Sequence, residues 1–267
     1  MEPYLSTLPP HDSFWLGQQD LFVEYYPGSR QTPLLMVHGA YTGSWMWCKY
    51  LPALVEAGYP CYVMNLRGHY LSRAVDMTRV TFADYVADVA EVAALCKTPL
   101  VLVGFSMGGI IGQVAAQTLS LRGLALAESS VCRQVYQQVP YPHREVCTLG
   151  NVVPAPARTL QSADETEEDI LFQQRYLAEE SALAFAEFGN WIDGVDGVSV
   201  DPAKIHCPVL SVRGAQTPDD VQRGLAEAAY FSGRSVVLQG VSHTGLLVGS
   251  RYREGLNALL QWLTEAL

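Results

Sequence analysis

A serine at the centre of a glycine-rich pentapeptide, Gly104-Phe-Ser-Met-Gly108, is the residue whose setting best suits chemistry. An apolar run precedes it and a segment of helical period, residues 110–119, follows it, so the glycines fall in a tight turn between a strand and a helix. Backbone N–H groups at the start of such a helix can stabilise an oxyanion beside the serine. Ser106 is therefore predicted to be a nucleophile for acyl chemistry. The alternative is a glycine-rich turn in which the serine is incidental.

The order of the surrounding segments predicts how this turn is held. Short apolar runs bounded by turn residues alternate along the chain with segments of helical period. Most runs are continuously apolar, as expected of parallel strands covered on both faces. The alternation predicts an α/β fold with a doubly wound, mostly parallel sheet. The predicted strands are Leu21–Tyr26, Leu34–His38, Cys61–Leu66, Leu100–Gly104, Gly123–Ala127, Val209–Arg213 and Ser235–Leu238.

Several helices are predicted from their capping residues. Thr81 with an acid three residues later predicts a helix that runs to about residue 96. Thr217 followed by Pro218 predicts a second, because proline is favoured at the first helical position. A last helix is predicted over about Tyr252–Leu267.

One long stretch interrupts the alternation of strands and helices. Residues 131–207 separate two predicted strands, beginning with a proline-bearing loop and continuing with an aromatic-rich helical segment. The capping pattern Ser162-Ala-Asp-Glu165 predicts the start of that helix. We interpret residues 131–207 as a helical cap inserted between two late strands of a core that comprises residues 1–130 and 208–267.

Four markers, in sequence order, resemble the α/β-hydrolase superfamily, and the resemblance covers nearly the whole chain. They are His38-Gly-Ala40 at a strand end, Asn65-Leu-Arg-Gly-His-Tyr-Leu-Ser72, the turn around Ser106, and Gly240-Val-Ser-His243 after the last strand. The second marker departs from the family's pattern, because Asn65 stands where the family often has Asp and Tyr70 where it often has Gly.

The resemblance implies roles for three residues besides Ser106. His243 matches the family's catalytic histidine, and a serine hydroxyl needs such an imidazole to take its proton. Ala40 and Met107 match the positions whose backbone N–H groups form the oxyanion hole. The other histidines lie in turn motifs or in loops without a supporting pattern.

The acid that would complete a catalytic triad stays open. The family usually supplies Asp shortly after the glycine that ends the penultimate strand, but Ala-Gln-Thr-Pro follows Gly214 here. Glu128, at the end of an earlier strand, is one candidate, because some lipase-like members place their acid there. Asp219 or Asp220 is the other, although both also fit as first-turn acids of a capped helix. Pairing with Arg133 or with loop N–H groups would explain Glu128 without catalysis, and a site with no working acid is the remaining alternative.

An aromatic substrate site is predicted beside the serine, lined by Trp45, Phe105, Tyr70 and Trp191, although aromatics of the cap could equally be helix packing. The resulting hypothesis is a serine hydrolase that cleaves an ester, lactone or thioester of a medium-sized apolar acyl group through an acyl-enzyme on Ser106. An acyltransferase, a cofactor-free lyase or isomerase, and a ligand-binding receptor of the same fold are the alternatives.

Composition limits the partners. The net charge is −10, from 17 basic and 27 acidic residues, which disfavours nucleic acid and anionic membranes. No apolar run approaches the roughly 18 residues that span a bilayer, and no secretory signal is evident. Six scattered cysteines without a CxxC pair favour a reduced, cytoplasmic setting. No metal or other cofactor is expected; a small-molecule acyl substrate is the one partner predicted, and the oligomeric state stays open.

Overall fold

Ten strands form two sheets in the computed structural model, which describes residues 4–146, 148, 151–160 and 162–266. The strands are β1 (Asp12–Leu16), β2 (Leu21–Tyr26), β3 (Leu34–Val37), β4 (Cys61–Met64), β5 (Val101–Phe105), β6 (Gly123–Ala127), β7 (Val152–Val153), β8 (Glu180–Ser181), β9 (Val209–Ala215) and β10 (Arg234–Gln239). The main sheet has eight strands in the order β1-β2-β4-β3-β5-β6-β9-β10. In this order, the neighbouring strands from β4 onward pair in parallel. At the opposite edge β2 pairs antiparallel with both β1 and β4.

The predicted fold class is confirmed by this sheet. All seven predicted strands are present, with bounds that differ by at most two residues. The edge strand β1 was not predicted, because its residues Asp-Ser-Phe-Trp-Leu are mostly solvent-exposed and give no continuous apolar run. Along the chain, β4 is added on one side of β3 and β5 on the other, so the order of addition reverses between β3 and β5. The carboxyl ends of these two strands therefore border a crevice, which is the usual place for a ligand in an open α/β sheet.

Helices cover both faces of the main sheet. They are α1 (Leu51–Glu56), α2 (Phe82–Ala93), α3 (Met107–Ala115), α4 (Arg133–Tyr136), α5 (Glu167–Tyr176), α6 (Ala182–Phe188), α7 (Pro218–Tyr230), α8 (Gly245–Val248) and α9 (Tyr252–Glu265). One apolar cluster packs α2 and α3 against the sheet, and a second packs α1, α8 and α9 against the opposite face. The capping box predicted at Thr81 is formed, and the predicted cap residue Thr217 forms one as well.

The predicted cap at Ser162 is wrong. The capping box lies four residues later, where the Thr166 hydroxyl accepts from the Asp169 N–H and the Asp169 carboxylate accepts from the Thr166 N–H, so α5 begins at Glu167. The segments that begin at Ser162 and at Thr166 both have a hydroxyl residue followed three residues later by an acid, so the local sequence pattern alone does not distinguish them. Tertiary contacts decide, because Asp164 and Glu165 are engaged elsewhere in the molecule.

Residues 131–207, called the insertion from here on, hold α4, α5, α6 and the antiparallel pair β7 and β8. Within the described chain the five cysteines are all free thiols, and the sixth, Cys147, lies outside the described residues. None of the helices that the structure describes combines the length and the apolar character needed to cross a membrane.

Candidate active site

The chain turns sharply at Ser106, between the end of β5 and the start of α3. Ser106 has φ 53° and ψ −117°, in the left-handed region that L-residues rarely occupy, and its N–H donates to the Ala127 carbonyl at 3.1 Å. The turn closes only because Gly108 lacks a side chain, since a Cβ there would lie 2.4 Å from the Val37 and His38 carbonyl oxygens. These constraints hold the Ser106 side chain at the carboxyl edge of the sheet.

Three side chains from separate strand ends form a continuous row of hydrogen bonds. The Ser106 hydroxyl donates to His243 Nε2 at 3.1 Å, and His243 Nδ1 donates to Glu128 Oε2 at 3.1 Å. With the carboxylate on one side, the ring proton belongs on Nδ1, which leaves Nε2 free to accept the serine proton. The His243 side chain is 52% exposed, whereas that of Glu128 is 7% exposed. An imidazole open to solvent on one side is thus held from behind by a buried carboxylate.

Glu128 reaches the histidine because the chain takes a second positive φ, 48° at Glu128, directly after β6 ends. Its Oε1 accepts a hydrogen bond from the Gly214 N–H. The guanidinium of Arg213, on β9, lies 3.7 Å from Oε2 and also donates to the Ser129 carbonyl at 2.6 Å. A buried cation thus compensates the burial of the Glu128 carboxylate.

Arg213 is a residue that the sequence analysis missed. A charged residue at the end of the apolar strand β9 requires a buried counter-charge, and this was the available signal. Arg133, which was one of the alternatives for pairing with Glu128 without catalysis, instead donates to the Gly197 carbonyl at 2.9 and 3.1 Å.

The alternative acids lie in the first turn of α7. Asp220 closes the capping box with Thr217 and pairs with Arg223 at 2.9 Å. Burial raises the pKa of Asp220, but its hydrogen bonds with Thr217 and Gln216 outweigh burial and the net shift is downward. Asp219 is exposed to solvent. Of the acids weighed from the sequence, the structure brings Glu128 to His243.

The peptide between Gly39 and Ala40 is fixed by its carbonyl. The Gly39 oxygen accepts from His38 Nδ1 at 2.7 Å and from the Thr42 hydroxyl at 2.8 Å. Because C=O and N–H point in opposite directions across a trans peptide, the Ala40 N–H is directed away from these donors. Burial, and then the neighbouring charge of His69, lowers the pKa of His38 to about 3, so this ring stays neutral and Nε2 accepts from the Leu66 N–H at 3.0 Å.

The peptide between Ser106 and Met107 is fixed in the same way. The Ser106 carbonyl accepts from the N–H groups of Gly109 and Ser130, both at 2.9 Å. Met107 is the first residue of α3, so its N–H has no acceptor inside the helix. Two backbone N–H groups, of Ala40 and Met107, thus belong to rigidly held peptides that flank the serine turn.

A second histidine–glutamate pair lies behind the Ala40 loop and was not predicted. His69 Nε2 donates to Glu180 Oε2 at 3.0 Å, and both side chains are 0% exposed. Burial alone would lower the pKa of His69, but the charge of Glu180 and its hydrogen bond raise it above its ordinary value. The same Glu180 oxygen accepts from the Tyr41 N–H at 3.2 Å, so this pair ties the insertion to the residue after Ala40.

The four predicted substrate-binding aromatics occupy different settings. Phe105 packs its ring 5.0 Å from that of His243. Tyr70 is half-buried and meets Tyr176 of the insertion edge to face at 5.8 Å. Trp45 is buried against α5. Trp191 is half-buried and packs on Phe185 and Phe188 of α6.

In the described part of the chain, no group of three or more His, Cys, Asp or Glu side chains is arranged to hold a metal ion.

Comparison with known proteins places this geometry in a family. The sequence profile of the alpha/beta hydrolase family matches residues 34–259. No curated protein sequence matches the chain.

Several solved structures share the fold. A hydrolase from Pseudomonas aeruginosa PA01 is 24% identical over 94% of this chain and 97% of its own, with a TM-score of 0.66. A bromoperoxidase from Bacillus anthracis is 19% identical over 96% and 100%, with a TM-score of 0.68. A thermophilic esterase from Thermogutta terrifontis is 18% identical over 97% and 99%, with a TM-score of 0.66. Because the family profile spans most of the sequence, the chain belongs to the alpha/beta hydrolase family.

Proposed function

We propose that the protein is a serine hydrolase that cleaves an ester, lactone or thioester of a medium-sized apolar acyl group. The observation that carries this proposal is the unbroken hydrogen-bond row from Ser106 through His243 to Glu128. A hydroxyl, an imidazole and a carboxylate in this order are the parts needed to activate a serine, whatever their order in the sequence.

In the first step the Ser106 oxygen attacks the substrate carbonyl while its proton passes to His243 Nε2. Glu128 stays ionised and stabilises the imidazolium through Nδ1–H. Negative charge develops on the former carbonyl oxygen, and the N–H groups of Ala40 and Met107 are the donors proposed for it. The tetrahedral intermediate then breaks its bond to the leaving group, which takes the proton from Nε2, and an acyl-enzyme remains.

In the second step a water molecule attacks the acyl carbon of the acyl-enzyme. His243 Nε2 takes a proton from this water and returns it to the Ser106 oxygen as the ester bond breaks. The carboxylic acid is released and the free serine is restored. The exposed edge of the His243 ring is consistent with access of water from solvent.

Apolar acyl groups are proposed because one aromatic ring packs on the row and others lie along the Ala40 loop and the insertion. Phe105 lies beside His243, and half-buried Tyr41, Tyr70 and Tyr176 flank the Ala40 loop and the insertion. The family fold supports both ester and thioester cleavage, since its solved structures include the Thermogutta esterase and a thioesterase domain from the curacin biosynthetic pathway, the latter 16% identical.

Hydrolysis of p-nitrophenyl esters of graded chain length tests the proposal. Wild type should release p-nitrophenolate, and Ser106→Ala should reduce kcat by roughly 10⁴-fold or more. Ser44→Ala is the matched control, because Ser44 is a buried serine four residues after Ala40 that lies outside the row. No turnover of any ester by the folded wild type would contradict hydrolysis. Faster ester consumption in the presence of an alcohol or amine acceptor would instead favour acyl transfer.

A further inference from the structure

Two consecutive acidic residues of the insertion reach the loop that carries His243. Asp164 is 2% exposed, and its Oδ2 accepts hydrogen bonds from the Ser242 N–H at 2.8 Å and from the Ser242 hydroxyl at 3.2 Å. Glu165 Oε1 accepts from the Thr244 hydroxyl at 2.6 Å. His243 is thus flanked on both sides by residues that the insertion holds.

Asp164 also contacts the far end of α8, the short helix that follows the histidine. Its carbonyl accepts from the Ser250 N–H at 2.7 Å and from the Ser250 hydroxyl at 3.1 Å. The approach at the near end depends on Gly245, because a Cβ there would lie 2.1 Å from Asp164 Oδ2. Asp164 therefore forms hydrogen bonds with residues that flank both ends of α8.

Glu165 is itself braced inside the insertion. Arg158 Nη2 donates to its Oε1 at 2.8 Å, and Gln173 Nε2, on α5, donates to the same oxygen at 2.9 Å. Arg158 also donates to the Thr244 hydroxyl at 2.7 Å. The contact with the histidine loop is therefore continuous with the framework of the insertion.

The sheet itself holds only the beginning of this loop. Gly240 donates its N–H to the Ala215 carbonyl at 2.8 Å and Val241 to that of Leu238 at 3.3 Å. From Ser242 to Thr244 the hydrogen bonds with sequence-distant parts of the described chain are those with Asp164, Glu165 and Arg158, apart from those of the His243 ring itself.

We infer that Asp164 and Glu165 are positioning residues that keep His243 in register with Ser106 and Glu128. The inference rests on the proposed function, since it concerns the same imidazole. Neither acid touches a reacting atom, so both act through the loop alone. A displacement of about 1 Å in a catalytic group can cost on the order of 10²-fold in rate, which makes a rigid loop valuable at this place.

Kinetics of three variants test the inference. Asp164→Ala removes the acceptor for Ser242 and should lower kcat by about 10- to 100-fold with KM changed less than about threefold. Asp164→Asn keeps an acceptor oxygen and should recover most of that loss. The matched control is Asn190→Ala, which removes a buried hydrogen bond of the insertion to the Val131 carbonyl, away from the histidine loop. It should leave kcat within about twofold.

A second readout does not need turnover. The ¹⁵N shifts of the His243 ring report which nitrogen carries the proton and how it is bonded, and in wild type they should show Nδ1–H. Asp164→Ala should move these shifts toward the tautomer mixture of a free imidazole, whereas Asn190→Ala should not. Where Asp164→Ala does not fold, Thr244→Val removes the Glu165 contact from the loop side and should lower kcat about fivefold.

The outcomes separate the inference from the proposed function. An inert wild type whose ring shifts still respond to Asp164→Ala would overturn hydrolysis and support the positioning role. Asp164→Ala with the kcat and the ring shifts of the Asn190→Ala control would overturn the positioning role. So would an Asp164→Asn variant as impaired as Asp164→Ala, because the acceptor oxygen would then not be what matters.

Discussion

Two of the histidine–glutamate pairs among the described residues have a partly or wholly buried carboxylate close to the active-site turn, and they differ in what surrounds them. The pair His243 and Glu128 is joined at 3.1 Å, and the pair His69 and Glu180 at 3.0 Å. The first pair has its imidazole open to solvent and a serine hydroxyl against the second ring nitrogen. The second pair is completely buried.

The group bonded to the ring nitrogen that does not face the glutamate decides whether each imidazole can accept a proton. His69 Nδ1 lies 3.0 Å from the Arg67 carbonyl, which only accepts, so both ring nitrogens of His69 must carry protons. His243 faces one acceptor and one hydroxyl, which leaves Nε2 able to take a proton. The same two residue types at nearly the same distance therefore form a buried ion pair in one place and, in the other, leave an imidazole nitrogen free to accept a proton, as the proposed function requires.

The largest difference is expected when each histidine is replaced. His243→Gln should lower kcat for ester hydrolysis by roughly 10⁴- to 10⁶-fold, because no group remains to accept the Ser106 proton. Its melting temperature should stay close to that of wild type, since the ring is half exposed. Steady-state kinetics and thermal unfolding measure the two effects. An active His243→Gln protein would remove the distinction between the pairs.

Replacing Glu128 by Gln should lower kcat by about 10²- to 10⁴-fold while KM stays similar. The amide preserves the shape and can still accept from the Gly214 N–H, but it cannot stabilise the imidazolium. Kinetics on the same ester series measure the effect. A loss of kcat smaller than tenfold would mean that His243 does not need the Glu128 carboxylate in order to activate Ser106.

His69→Gln should act on stability. It leaves the buried Glu180 carboxylate without its counter-charge, a change that costs about 3–5 kcal/mol of unfolding free energy. Urea unfolding measures the loss, and kcat of the folded variant should fall far less than that of His243→Gln. If the free energy of unfolding were unchanged while kcat fell as far as in His243→Gln, the roles assigned to the two pairs would be reversed.

The buried pair should also give stability a defined dependence on pH. Burial raises the pKa of Glu180, but the charge and hydrogen bond of His69 outweigh it and hold that pKa below its ordinary 4.5. The stability from Glu180 is therefore present above pH 4.5 and lost as pH falls through the lowered value.

The pKa of His69 is raised above 6.5, so its contribution is complete below pH 6.5 and lost as pH rises through the raised value. The difference in unfolding free energy between wild type and His69→Gln should therefore be greatest between pH 4.5 and 6.5. Urea unfolding across a pH series measures it, and a difference that grows above that range would contradict an ionised pair.

The smallest effect is expected at the acid that the structure leaves in solvent. Asp219→Asn should change kcat by less than about twofold and unfolding free energy by less than about 0.5 kcal/mol. It is the isosteric counterpart of Glu128→Gln. A loss of kcat in Asp219→Asn as large as that predicted for Glu128→Gln would mean that Asp219, and not Glu128, is the carboxylate that His243 needs.

The sequence predicted those parts of the fold and site that depend on local pattern. Apolar runs identified seven of the eight strands of the main sheet, and the glycine pattern placed Ser106 in a strand-to-helix turn. The candidates for the acid that pairs with His243 could be narrowed only to Glu128 and to Asp219 or Asp220, because the choice depends on which strand end faces the His243 loop. The pairing of β6 with β9 fixes the position of that strand end, and it joins segments that are distant in the sequence.

The remaining parts depend on contacts between distant segments. Ser162 was predicted to cap a helix because its tetrapeptide fits the rule, yet Asp164 and Glu165 are held by residues near position 243. Glu180 showed no signal, since its partner His69 is distant in sequence and lies in a motif that already explains a histidine. The burial of these acids and the identity of their partners appear only in three dimensions.

Reaction with a fluorophosphonate, followed by peptide mass spectrometry to locate the modified residue, tests whether Ser106, activated by His243, is the nucleophile. A single adduct is expected on the peptide that contains Ser106, formed at a rate that falls at least about 10²-fold in both His243→Gln and Glu128→Gln. An adduct on another serine, or labelling of Ser106 at the wild-type rate in His243→Gln, would contradict it.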